Sequence, residues 1–241
     1  MPEEKKQISL ETLYKYFLAH PEGKWIMRWE HAQELYDFLI AHPVKKVLEL
    51  GTGIGCSTAI MALALQEVGA EFEIHTVEQY ESCQKIANAI IPPELFQGKG
   101  KVYPYLADPV VWQHPQIKYD FFMNFERLPE GEFDFILVDG PGPWLDGDQL
   151  VELPNGDVMR LLNENKLKPG CLIAWDGRLA ALRLLERFFG DNFYLLNPSV
   201  KTDFFILERK DNPIQLKDVK VETMKKLGYF KEAKKEEVKT N

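Results

Sequence analysis

The sequence predicts an α/β fold, a doubly wound and mostly parallel sheet with helices on both faces. Three observations point to it. Short apolar runs rich in β-branched residues alternate with stretches of helical periodicity from residue 29 to residue 209, the pattern of a sheet covered by crossover helices. Three of those runs close on an acid, at Glu78, Asp139 and Asp176. The first run is followed by three alternating glycines, in VLELGTGIGCST from Val47 to Thr58. Each glycine costs a strand conformational order, so the chain must need a bare backbone where that strand ends.

The elements follow in order. Residues 29–41 (WEHAQELYDFLIA) place Trp29, Ala32, Leu35, Tyr36 and Leu39 at helical spacing, and Pro43 stops the helix. Residues 44–50 form a short strand. Residues 57–68 (STAIMALALQEV) are helical and end at Gly69. Residues 71–78 alternate as a strand does, and the helix over 80–91 is stopped by Pro92 and Pro93. Residues 101–106 read as a weaker strand, demoted by Pro104. Residues 133–139 (FDFILVD) are the clearest strand, followed by Gly-Pro-Gly-Pro. A helix over 158–166, a buried strand over 170–176 and a helix over 179–189 come next. Two strands, 192–196 and 203–209, meet through a short turn around Pro198. With no helix between them they are antiparallel neighbours. Residues 1–42 read as an N-terminal helical extension, 43–210 as the ligand-binding domain, and 211–241, rich in lysine, as a solvated helix or frayed tail.

Composition narrows the partners. Of 241 residues, 45% are apolar and 27% charged, as in an ordinary globular protein. A formal net charge of -8 repels polyanions, so no nucleic acid is expected. No apolar run reaches membrane-spanning length and the start, MPEEKKQ, is polar; neither a membrane nor a secretory signal is expected. The three cysteines, Cys56, Cys83 and Cys171, are widely spaced, which suits a reducing, cytoplasmic setting. Cys56 reads as a small buried hydrophobe. The five histidines show no HxH or HxxxH, so neither a zinc cluster nor a histidine-centred triad is expected.

The glycine turn sets the ligand chemistry. In a doubly wound sheet, ligands bind beyond the carboxyl ends of the strands where strand order reverses. Gly51, Gly53 and Gly55 let a ligand lie against the backbone there. A pyrophosphate site reads GxGxxG; this chain reads ExGxGxG, and Glu49 would repel pyrophosphate while suiting a cation. Glu78 closes the second strand 23 residues after Gly55, where a carboxylate accepts both hydroxyls of a ribose. Asp108, after the third strand, is placed to accept an adenine amino group, or to form a turn or helix cap. A nucleoside carrying positive charge fits this set.

VLELGTGIGCST, TVEQ, LADP, FDFILVDGP and LKPGCLIAWDG, in that order and spacing, resemble the motif series of class I S-adenosylmethionine-dependent methyltransferases. Within that class they are most similar to the small O-methyltransferases related to catechol O-methyltransferase. The likeness spans residues 29–209. It implies a Rossmann-like, seven-stranded sheet whose last strand is antiparallel. It implies that Glu49, Gly51, Thr52, Gly53 and Gly55 hold the methionine part of S-adenosylmethionine, with Ser57 near its carboxylate. Glu78 would take the ribose hydroxyls, Asp108 the adenine amino group, and Asp139 would sit beside the sulfonium and the acceptor. In the metal-dependent members, Asp at the places of Asp139 and Asp176, and Asn directly after the second, bind a divalent cation such as magnesium. Here Gly177 follows Asp176, so one of three side-chain ligands is missing and a divalent cation stays an open question. Without metal, Asp139 or Asp176 becomes the candidate general base; the alternative reading of Asp176 is a cap on the next helix.

The expected activity is methyl transfer to a small-molecule acceptor, at oxygen. A protein or saccharide acceptor, or a non-catalytic cofactor-binding subunit, are the alternatives. The 140–154 loop overhangs the pocket, with Trp144 as a wall or packing residue and Asp146 and Asp148 as polar contacts. Trp25 and Trp29 read as core-facing, with a lid as the alternative.

Overall fold

The computed structural model describes residues 8–96, 98–117, 121–142, 144–146, 149–151, 153–197, 203–214 and 216, with only the backbone described at 144–146 and 149–151. The helices are α1 (Leu10–Leu18), α2 (Trp29–Ala41), α3 (Cys56–Glu67), α4 (Glu81–Ile90), α5 (Asp157–Asn163) and α6 (Leu179–Phe189). The strands are β1 (Lys46–Leu50), β2 (Phe72–Glu78), β3 (Gly100–Leu106), β4 (Pro109–Gln113), β5 (Phe121–Phe125), β6 (Phe135–Val138), β7 (Trp144–Asp146), β8 (Gln149–Val151), β9 (Leu172–Asp176), β10 (Phe193–Leu195) and β11 (Phe204–Arg209).

Seven strands form one sheet in the order β10-β11-β9-β6-β1-β2-β3. Neighbours from β9 to β3 run parallel, and β11 is antiparallel to both β9 and β10. The doubly wound sheet with an antiparallel last strand is therefore what the chain builds. From β1 the chain moves one way, to β2 and β3. It then returns to the other side of β1 for β6 and β9, so strand order reverses between β1 and β6. Pro104 sits in β3, at the sheet edge, where a missing N–H costs least.

Strand parity divides the core. Val47, Phe135, Leu137 and Ala174 face a cluster with α1, α2 and α3. Leu48, Leu50, Ile136, Val138, Ile173 and Trp175 face the other, with α5 and α6. Helix α3 is buried at every residue from Cys56 to Leu65, because α1 and α2 lie over the face that the sheet does not cover.

Some elements differ from the reading above. Helix α1 starts on Ser9, whose hydroxyl accepts the Thr12 N–H at 3.2 Å, and buries Leu13 and Phe17 one turn apart. Strands β4 and β5 pair as an antiparallel hairpin that sends Phe122 and Phe125 into the core. The 140–154 loop contains the short β7–β8 ladder. Trp25 is not core-facing: it is 77% exposed. Trp29 is half-buried and meets Tyr14 edge-on at 5.1 Å. The turn at Pro198, Asp148 and the tail beyond residue 216 lie outside the described residues, as do the side chains of Trp144 and Asp146.

Candidate active site

Sheet register assembles the site. Val77, Leu50, Val138 and Trp175 stand in one row across β2, β1, β6 and β9. The next residue on each strand is Glu78, Gly51, Asp139 and Asp176. A row of three acids with one glycine between them thus closes the carboxyl edge at the point of reversal. Beside it lies a cavity of about 440 Å³, within the usual range of small-molecule pockets.

The glycines have different reasons to be glycine. Gly51 has φ +98° and its missing Cβ would fall 2.7 Å from the Gly140 nitrogen and 2.8 Å from the Asp139 carbonyl carbon. No side chain fits there. Gly53 has φ +53° and open space where a Cβ would stand; it lines the cavity, with Gly51 and Thr52. Its main chain is bare to a ligand. Gly55, at the N-terminus of α3, is in the left-handed region and packs against Ile91 and Ala87.

Glu78 faces the glycine turn. Its Oε2 accepts the Gly53 N–H at 2.7 Å, and its Oε1 accepts those of Gln79 and Tyr80, each at 2.9 Å. The residue is only 5% exposed yet lines the cavity. Burial pushes the carboxyl upward, and the backbone amides, which favour the charged form, oppose it. One amide on Oε2 leaves that oxygen a second lone-pair site.

Glu49 goes elsewhere. It shares strand parity with Val47 and therefore points under α3, where Ser57 and Thr58 donate their hydroxyls to its two oxygens. It is fully buried and does not line the cavity. Burial, the largest influence, pushes its carboxyl up to about 7 against those two hydroxyls. Thr52, which lines the cavity, has its hydroxyl bonded to that of Thr76 on β2. Ser57 lines the cavity while giving its hydroxyl to Glu49. Asp108 is exposed and does not line the cavity; its backbone carbonyl accepts the Glu126 N–H at 2.8 Å. Cys56 is buried, and burial pushes its thiol up, away from thiolate chemistry.

The second half of the site is built around Asp139. Its side chain keeps 30% of its surface and lines the cavity. Burial first, then the nearby Asp176, holds its carboxyl well above the usual range, and the Arg178 guanidinium opposes that rise. Arg178 donates from Nη2 to the Asp139 backbone carbonyl and, at 3.4 Å, to Asp139 Oδ1. Asp176 does not line the cavity; it is bonded to Nδ1 of His31, a buried residue of α2. Neither Arg178 nor His31 was signalled by the sequence, although WDGR sets a cation two residues beyond a strand-end acid. Asn155 and Asp157 were also missed. Asn155 Nδ2 donates to the Gly140 carbonyl at 2.6 Å and to Asp157 Oδ2 at 3.0 Å, and the same oxygen accepts the Phe125 N–H at 3.2 Å. That buried pair ties two cavity-lining residues together.

A divalent cation does not fit this arrangement. Gly177 offers no donor, His31 takes an oxygen of Asp176, and Arg178 is hydrogen-bonded to Asp139. Among the described residues no group of three or more His, Cys, Asp or Glu could hold a metal, and no helix is long and apolar enough to cross a membrane.

No protein-family model matches the sequence, and no curated protein matches it either. Solved structures do match by shape. The SAH-bound methyltransferase PaMTH1 of Podospora anserina aligns over 84% of this chain and 88% of its own, at 16% identity and a TM-score of 0.53. The O-methyltransferase of Bacillus cereus in complex with SAH aligns over 84% and 90%, at 16% identity and TM-score 0.51. A methyltransferase of Geobacter sulfurreducens aligns over 85% and 90%, at 14% identity and TM-score 0.52. At these identities the likeness establishes a shared Rossmann-like, methyltransferase-type fold.

Proposed function

We propose that this chain is an S-adenosylmethionine-dependent methyltransferase that methylates an oxygen of a small-molecule acceptor. One observation carries the reading: Glu78, pinned by the Gly53 amide, and Asp139 face one cavity from opposite sides of the bare Gly51 turn. When bound, S-adenosylmethionine supplies a methyl group on a positively charged sulfur, which an oxygen nucleophile displaces with the bonding pair left on sulfur. Glu78 takes a ribose hydroxyl at Oε2, the oxygen that the Gly53 amide leaves least occupied. Gly51, Thr52 and Gly53 offer main chain for close approach, and Gly55 opens α3 beside them. Ser57 borders the cavity at the start of that helix.

Glu49 acts from behind the turn. Its carboxyl holds the first turn of α3 through Ser57 and Thr58. Asp139 is the general base. Its raised carboxyl keeps affinity for a proton, as removal of a hydroxyl proton near neutral pH requires, and Asp176 reinforces that rise from outside the cavity. Met27, Phe125 and Pro141 supply apolar wall, which suits an uncharged carbon skeleton. Nothing in this arrangement routes a step through a metal.

Calorimetry on the full chain tests the reading. SAM and SAH should each bind at one site. Glu78→Gln should weaken both by about tenfold or more, the worth of hydrogen bonds to a charged carboxylate. Folded protein that binds neither compound at millimolar concentration overturns it.

A further inference from the structure

Among the described residues lining the cavity, Arg178 is the one Lys or Arg; Glu22, Glu78 and Asp139 bring negative charge. Its Nη2 is engaged by the carbonyl and carboxylate of Asp139. Nε and Nη1 make no hydrogen bond to a described residue and are not buried, and the side chain keeps 29% of its surface. A guanidinium with one edge anchored and its other donors open is suited to a carboxylate or phenolate oxygen. It also sets a fixed positive charge against Asp139, one of the carboxylates that a divalent cation would use. A divalent cation there would face a fixed positive charge, lacking a third side-chain ligand at Gly177. Position 177 has room: φ is +64° and no atom lies within 4 Å of where a Cβ would stand. Asn tolerates such a backbone.

Resting on the methyltransferase reading, we infer that Arg178 stands in place of a divalent cation, and that it makes the acceptor end of the cavity a receptor for an anionic oxygen. The acceptors it selects are acidic ones, phenols and carboxylic acids, whose oxygen arrives at the guanidinium as the anion or becomes one there. Asp139 and Arg178 then divide the work. The carboxylate takes the proton where there is one, and the guanidinium meets the charge left behind. Metal chelation by vicinal hydroxyls plays no part in this recognition.

The test uses the full chain saturated with SAH, two probes and one variant. Free Mn²⁺ is followed by its EPR signal, and benzoate binding by calorimetry. Wild-type protein should leave millimolar Mn²⁺ free and bind benzoate. Arg178→Gln should weaken benzoate at least tenfold while SAH affinity stays within about twofold. Stoichiometric Mn²⁺ binding by the wild type overturns the inference, a measurement that needs no variant to fold. Equal benzoate binding with and without Arg178, or no benzoate binding at all, also overturns it. Those failures leave the methyltransferase reading standing. Absence of SAH binding by the wild type overturns both.

Discussion

Replacing Glu49 by Gln should remove the pH dependence that this residue gives to folding. Glu49 is fully buried, accepts two hydroxyls, and has its carboxyl pushed from 4.5 to about 7. A carboxyl raised on folding keeps its proton in the native state after the unfolded chain has lost it. Stability is therefore lost as pH climbs from 4.5 to about 7, and the loss is complete above that. At about 1.4 kcal/mol per unit, the total is about 3 kcal/mol, most of it between pH 5 and pH 8. Gln carries no charge but can accept only at its carbonyl, so one of the two hydroxyls must turn, at a cost of about 1 kcal/mol. Glu49→Gln should be near parity with wild type at pH 5 and more stable by about 2 kcal/mol at pH 8. Asp157, likewise pushed up to about 7 by burial, contributes a parallel slope, while His75 and His114, held down by burial, contribute an opposite one. Those groups are common to both proteins and cancel in the difference. Urea unfolding at a series of pH values measures it. A wild-type-to-variant difference that stays constant from pH 5 to pH 8 refutes the reasoning.

Gly51→Ala should lower unfolding free energy by at least 1–3 kcal/mol, from the left-handed backbone alone, and more from the overlap at 2.7 Å with Gly140. Chemical denaturation checks it, and a neutral result removes the argument for that glycine. Trp25→Ala, at a residue 77% exposed, should move stability by under about 0.5 kcal/mol. Calorimetry should nevertheless show SAH bound about three- to tenfold more weakly, the range of one aromatic contact; unchanged affinity would take the indole off the ligand. His31→Ala strips a buried carboxylate of its partner and should cost about 1–3 kcal/mol in thermal or urea unfolding, whereas SAH affinity should stay within about twofold.

Much of the fold was legible because its signals are local and repeated. Helices 29–41 and 179–189 have the predicted bounds, since Pro43 and Gly190 stop chains whose apolar positions already recur at helical spacing. Strand ends at Glu78 and Asp176 were readable from an acid after an apolar run. The β4–β5 hairpin was not. Its residues pair across a long connection, and aromatic residues such as Phe122 and Phe125 carry no turn signal of the two-residue kind. At the site, Glu78 and Asp139 follow from strand ends, but Glu49 shows what a motif omits. Alternation along β1 sends it beneath α3 with Val47, and only the placement of that helix decides whether a ligand can reach it. Arg178, His31 and Asn155 depend on contacts between elements far apart in the chain, with 39, 145 and 15 residues separating each from its partner. No periodicity encodes such meetings.

The glycines at 51 and 140 press main chain on main chain: each lacks the atom that would occupy the other's place, at 2.7 Å in both directions. The spacing between the half of the recess that holds Glu78 and the half that holds Asp139 is consequently set by two peptide planes in contact. Rotamer changes in the walls cannot alter it. Side chains around the cavity can vary widely while the span from Glu78 to Asp139 keeps its length.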